Sequence, residues 1–175
     1  MSVVKPDFPA RFAQGLTVAR LAAAPVIFFA ALAGEMGVAA TIVLLAMVTD
    51  AIDGPLVRRF GQPSEAGAML DVWADFLTVF ATFAGLWAGG YIPFWPLLPI
   101  VLSFALFLVT TRLAGVIYDP VGRQLGAVTM VASFLLLVAH DFLVQETIFR
   151  AVAALCAIGM AGRIVYLTGR LVVGD

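Results

Sequence analysis

Long apolar runs set the first limit on what this chain can fold into. Residues 16–33, 38–60, 65–87, 93–114, 120–139 and 147–172 are each rich in Ala, Leu, Val, Ile and Phe, and short Gly, Pro or charged segments divide them. A hydrocarbon core about 30 Å thick is crossed by about 20 helical residues rising about 1.5 Å each, so each run is long enough to span one. The chain is 63% hydrophobic and 12% charged, which leaves too little polar sequence to cover a soluble globule. We therefore expect an all-α integral membrane protein. The 175 residues would form one domain, a six-transmembrane-helix bundle with both termini on the same side and a short N-terminal juxtamembrane segment.

That segment, residues 1–15, carries Lys5, Pro6, Pro9 and Arg11 with Phe8 and Phe12, a composition suited to the membrane interface. The run from Leu16 to Ala33 contains Arg20 and is followed by further apolar runs, so it reads as a retained first span rather than a cleaved signal peptide. Pro25 lies inside it and is expected to bend it. Ser64 and Asp119 are candidate N-caps for the third and fifth spans, the latter followed by Pro120 at the first helical position. Gly34 to Gly37, Gly61 to Pro63 and Gly89-Gly90 read as turns. Lys5, Arg11, Arg58, Arg59, Arg112, Arg123 and Arg170 fall at one side and only Arg150 near the other. Cationic loops face the cytoplasm, which puts the N-terminus there, in a bacterial inner (cytoplasmic) membrane. A net charge of −1 gives no basic surface for nucleic acid. The single Cys156 has no intrachain partner and reads as a packed residue, and His140, beside Asp141, as an interfacial one.

Against this apolar background, five of the eleven acidic residues, four of them aspartates, lie between Asp50 and Asp75. Asp50 and Asp53 share a face of the second span, and Gly67, Asp71 and Asp75 share a face of the third, because residues three or four apart on a helix are neighbours. If the turn at residues 61–63 makes the two spans antiparallel neighbours, both pairs converge. Two arginines, Arg58 and Arg59, cannot neutralise four acids as buried salt bridges, and four carboxylates cannot all stay ionised in a low dielectric alone. Divalent cations resolve the conflict. Oxygen donors without His or Cys favour magnesium, manganese or calcium over zinc, and two ions, Mg2+ or Mn2+, are the expectation. Gly54 and Gly67 leave room for a ligand to approach the helices, and Arg58 can reach a phosphate from the same face. The combination suits a diphosphate.

The run Asp50-x2-Asp53-Gly54-x2-Val57-Arg58-x8-Gly67-x3-Asp71-x3-Asp75 resembles the signature of the CDP-alcohol phosphotransferases, D-x2-D-G-x2-A-R-x8-G-x3-D-x3-D. Only the alanine differs, as Val57. Leu16-Thr17-x2-Arg20 followed by Pro25 is similar to the first helix of the phosphatidylglycerophosphate-synthase-like members, whose frequent preceding asparagine is Gly15 here. Many members carry Lys where this chain has Phe76. The resemblance implies transfer of a phospho-alcohol group from a CDP-alcohol, usually CDP-diacylglycerol, to a second alcohol with release of CMP. It implies Asp50, Asp53 and Asp71 as metal ligands and Asp75 as both metal contact and general base. Gly54, Arg58 and Gly67, with Asp50, would face the nucleotide. It also implies a homodimer, for which Ala81, Ala84 and Gly85 permit close helix contact.

For the acceptor alcohol, basic residues of later helices hold a phosphate in inositol-phosphate-using relatives, and Arg112, Arg123 and Arg163 are the corresponding candidates here, with Tyr118 and Asp119 bordering the same loop. Their alternative role is topological, fixing orientation and reaching headgroups. Arg20 is expected to face the site and is grouped with them, because an unpaired arginine facing lipid is costly. Two rival readings fit part of the sequence. An aspartate-rich intramembrane prenyltransferase would also bind diphosphate through metal, but would place its acids in separate halves of a longer bundle. A divalent-cation transporter would use the acids but leaves Gly54, Arg58 and Gly67 without a purpose.

Overall fold

A computed structural model describes residues 8–60, 65–114, 120–139 and 141–173, with side chains described over 15–52, 67–113, 124–139 and 141–169. Six helices make up the described chain: α1 Phe8–Leu32, α2 Met36–Phe60, α3 Glu65–Ala88, α4 Leu97–Ala114, α5 Pro120–Val138 and α6 Phe142–Val173. Lys5, the turn at 61–63, Ser64, Tyr118, Asp119 and His140 lie outside the described residues. Three segments, Gly15–Leu32, Gly67–Ala88 and Phe142–Gly169, are long and apolar enough to cross a membrane. Met36–Ile52, Leu97–Leu113 and Gln124–Val138 are shorter apolar helices.

Two helix ends differ from the expected ones for identifiable reasons. The residues from Phe8 onward are already helical and continuous with α1, so the described part of the expected juxtamembrane segment forms the first turns of that helix. Helix α6 begins at Phe142 rather than near residue 147. Its cap is Asp141, whose Oδ1 accepts from the Leu143 and Val144 amides at 2.7 and 3.4 Å and satisfies donors the helix itself cannot. Asp141→Ala is expected to lower unfolding stability by about 1 kcal/mol. Thermal denaturation in detergent checks this, with Asp141→Asn close to wild type.

The expected turns after α1 and α3 share one geometry. Gly34 and Gly90 sit at φ of 79° and 78°, which a side chain resists. Around each, the next amide reaches back five residues: Glu35 N–H to the Ala30 carbonyl and Tyr91 N–H to that of Leu86, both at 2.9 Å.

Helix α1 is the wedge of the bundle. It packs most extensively on α3 and next on α2, whereas among the described residues α2 and α3 have few direct contacts. Over the described residues the expected approach of α2 to α3 is thus made largely through α1, and the turn at 61–63 lies outside those residues. The cause is steric: an atom added at Gly85 in place of hydrogen would lie 2.6 Å from the Phe28 carbonyl oxygen and 2.9 Å from the Ala31 Cβ, so only glycine lets α3 lie this close to α1. Ala81 and Ala84 are buried as well. These small residues are thus used inside the bundle, and they no longer argue for a contact between copies.

Elsewhere α4 packs on α6, and α5 bridges α2, α3 and α6. The core holds Ile27, Val43, Phe83, Leu86, Phe149 and Val152. Cys156 is buried in it, as expected of a packed residue. Buried hydroxyls bond to their own helix: Thr78 to the Ala74 carbonyl, Thr82 to that of Thr78 and Ser133 to that of Thr129, each at 2.9 Å. That pattern satisfies a polar group with no water at hand. Outward faces are apolar, with Phe29, Leu45, Leu102, Leu113 and Val165 exposed, a surface matched to lipid rather than water.

Candidate functional site

The wedge position of α1 determines what lies between α2 and α3. Thr17 and Arg20 are three residues apart and so share one face of α1. Asp50 comes from the later part of α2, and Asp71 and Asp75, one turn apart, come from the earlier part of α3. These segments lie at the same end of the bundle, because α1 and α3 run toward the far end and α2 runs back from it.

All three carboxylates meet the Arg20 guanidinium. Its Nη1 donates to Asp50 Oδ1 and Asp75 Oδ1, each at 2.8 Å, and its Nη2 to Asp71 Oδ1 at 3.3 Å. Thr17 Oγ1 donates to the same Asp71 oxygen at 2.6 Å. The arginine side chain is only 3% exposed, whereas those of Asp50, Asp71 and Asp75 are 46%, 51% and 30% exposed. The cation is thus sealed behind acids that open outward. Burying a guanidinium is tolerable only when anions surround it, and the planar fork of arginine can serve several at once. Its Nε is buried and without a hydrogen-bond partner among the described residues.

Among the described residues one guanidinium faces three carboxyl groups, an excess of acids over bases. The expected partners Arg58 and Arg59 lie where side chains are not described, as do Asp53 and Gly54, although the backbone of all four is helical in α2. Gly67, half-buried, is one turn before Asp71 as the spacing requires. Among the described residues, no three acidic, His or Cys side chains are gathered around a metal-sized point. Asp50, Asp71 and Asp75 are instead arranged around the guanidinium. Their donor chemistry still fits a hard cation: oxygen only, net negative and open to one side.

The arginines expected to hold an acceptor divide. Arg112 is exposed in the last turn of α4. Arg163 of α6 donates from Nη1 to Thr110 Oγ1 at 3.3 Å, and its guanidinium lies 4.8 Å from the centre of the Phe107 ring. It therefore ties α6 to α4 through a hydrogen bond and a cation–π contact. The Arg123 side chain lies outside the described residues. Arg20 does face the site, as lipid avoidance demands, but its observed partners are the acids.

Two features were not foreseen. Thr17 received no role, and the signal that could have found it is its position three residues before Arg20. Phe76 stacks on Phe104 of α4, with ring centres 3.7 Å apart and planes 5° from parallel. Trp73 meets Phe104 edge-on at 4.8 Å. This aromatic seam between α3 and α4 is what stands where many relatives of the resembled family have a lysine.

Fold and site together define a helical membrane protein with an acid–guanidinium centre near one end. The profile of one family, CDP-alcohol phosphatidyltransferase, matches residues 10–162. The chain belongs to that family. A cardiolipin synthase (CMP-forming) of Streptomyces coelicolor is 31% identical over 153 residues, covering 82% of this chain and 69% of that protein. A probable phosphatidylglycerophosphate synthase of Mycobacterium tuberculosis is 33% identical over 111 residues, covering 60% of this chain and 53% of that protein, about half its length. No solved structure matches. The protein is accordingly a transferase of phospholipid synthesis and an integral membrane protein. Membership sets aside the prenyltransferase and transporter readings.

Proposed function

We propose that this protein transfers a phosphatidyl group from CDP-diacylglycerol to a small polar or phosphorylated alcohol, releasing CMP. The observation that carries the proposal is the meeting of Asp50, Asp71 and Asp75, three residues of the eight-position motif, around one guanidinium. The motif links them to Asp53, Gly54, Arg58 and Gly67, and the two relatives named above carry names of phospholipid synthases.

In this mechanism Asp50, Asp53, Asp71 and Asp75 would hold divalent cations, magnesium or manganese. Such ions, when bound, neutralise the diphosphate and the leaving CMP. Gly54 and Gly67 give the nucleotide close access to α2 and α3, and Arg58 pairs with a phosphate oxygen. Asp75 takes the proton of the acceptor hydroxyl as its oxygen attacks the phosphorus that bears the diacylglycerol oxygen. The phosphoanhydride bond breaks, and its electron pair leaves with CMP. Arg112, Arg123 and Arg163 supply positive charge for an anionic acceptor. Six helices cross the inner membrane with this end toward the cytoplasm, where the basic residues concentrate. The protein is a homodimer, and mass measurement in nanodiscs reads this, a monomer contradicting it.

The acceptor is tested by supplying purified protein with CDP-diacylglycerol and, separately, glycerol 3-phosphate, inositol phosphate, serine or phosphatidylglycerol as a lipid-borne alcohol. One acceptor is expected to raise CMP release at least about tenfold over water alone, a transition-state preference of about 1.4 kcal/mol. Inorganic diphosphate released from a prenyl diphosphate would overturn the assignment.

A further inference from the structure

The oxygens used in the acid centre follow a pattern. Asp50, Asp71 and Asp75 each accept through Oδ1, from Arg20 in all three and from Thr17 as well at Asp71. Among the described residues, the Oδ2 of each accepts no hydrogen bond, although every one of these side chains is at least 30% exposed. The donors come from one face of α1, behind the acids, and that face is fixed to α3 by the close approach at Gly85. One oxygen of each carboxylate is thus tied to the scaffold, which leaves the other oxygen of each partly exposed side chain available to a ligand. A carboxylate tied at one oxygen keeps its rotamer and presents the second in a set direction, which is how outer partners orient metal-binding side chains elsewhere.

We infer that Thr17 and Arg20 are positioning residues: they fasten the Oδ1 atoms of Asp50, Asp71 and Asp75 so that the Oδ2 atoms face a divalent cation together. Neither residue contacts substrate. The inference rests on the metal-dependent reading above and reassigns Arg20 from the acceptor to the carboxylates. It also accounts for the choice of side chains. Threonine supplies the one donor that Asp71 needs beside the longer Arg20 contact. Lysine at position 20 would supply point charge but not the fork that spans α2 and α3.

The test is Mn2+ binding followed by electron paramagnetic resonance, with CMP release measured in parallel on the same detergent-purified protein. Thr17→Val, which keeps shape and removes the hydroxyl, is expected to weaken Mn2+ binding about tenfold, and Thr17→Ser to restore it. Arg20→Gln is expected to weaken binding about 100-fold and Arg20→Lys to recover part of that loss. In all four variants the apparent KM for CDP-diacylglycerol at saturating metal stays near wild type. Thr17→Val keeps the test decisive should Arg20→Gln fail to fold. Wild-type metal affinity in Thr17→Val, or tighter binding in Arg20→Gln, overturns the positioning role while leaving the proposed function standing. Wild-type protein that neither binds Mn2+ nor releases CMP sinks both.

Discussion

Asp75→Asn is expected to cut CMP release by about 10³-fold, in the middle of the range that general-base groups contribute. Asparagine has the shape of aspartate, and its carbonyl oxygen can still accept from Arg20 Nη1, which lies 2.8 Å from Asp75 Oδ1. The helices and the contacts to Asp50 and Asp71 should therefore persist. What is lost is the ability to take a proton from the acceptor hydroxyl. Helix content and melting temperature stay near wild type, and turnover is compared at saturating Mn2+ because Asp75 is also a proposed metal ligand. The rate of the chemical step, read as single-turnover CMP formation, collapses. A variant that retains a tenth or more of wild-type turnover would remove Asp75 from the role of base.

The second large effect lies away from the chemistry. Gly85→Leu is expected to destabilise the protein by about 3 kcal/mol, the upper end of what overpacking costs, with much of the protein failing to reach the folded state. The first added carbon would meet the backbone oxygen of Phe28 at 2.6 Å and its Cα at 3.2 Å, and backbone cannot rotate away as a flexible side chain can. Helix α1 must shift, and Arg20 shifts with it, eight residues or about 12 Å along the helix. The folded fraction should therefore show weaker Mn2+ binding too. Gly162→Ala is the control: nothing lies within 4 Å of the added atom, and alanine favours a helix over glycine by up to about 1 kcal/mol. Equal melting temperatures for Gly85→Leu and wild type would contradict the wedge role of α1.

Much of the site could be read in the sequence because it is local. Asp71 and Asp75 share a helix face by spacing alone, and Asp50 is related to them by a fixed motif; the structure brings these three together. The six helices were legible from apolar runs and turn glycines, which work through nearest neighbours in the chain. The partner of the acids was not legible. Arg20 is separated from Asp50 by 30 residues and from Asp75 by 55, and only packing decides which arginine arrives. That packing depends on α1 entering between α2 and α3, which follows from the fit of Gly85 to Phe28 rather than from any periodicity. The start of α6 differs for a smaller reason: Asp141, which the sequence reading left without a role, caps the helix with its carboxylate. At Phe76 the difference from the resembled family was plain, but its ring partner Phe104 could not be named from sequence.

The central claim is that acids on α2 and α3, organised by α1, act through divalent cations on a CDP-alcohol. Its most direct test is CMP formation by the purified wild-type protein from CDP-diacylglycerol and the acceptor that the panel selects, titrated with Mg2+ after exhaustive chelation. The account predicts no CMP above background without metal, saturable recovery on adding Mg2+ or Mn2+, and one phosphatidyl product for each CMP. Undiminished CMP formation in chelator, or metal-dependent release of inorganic diphosphate instead of CMP, would contradict it.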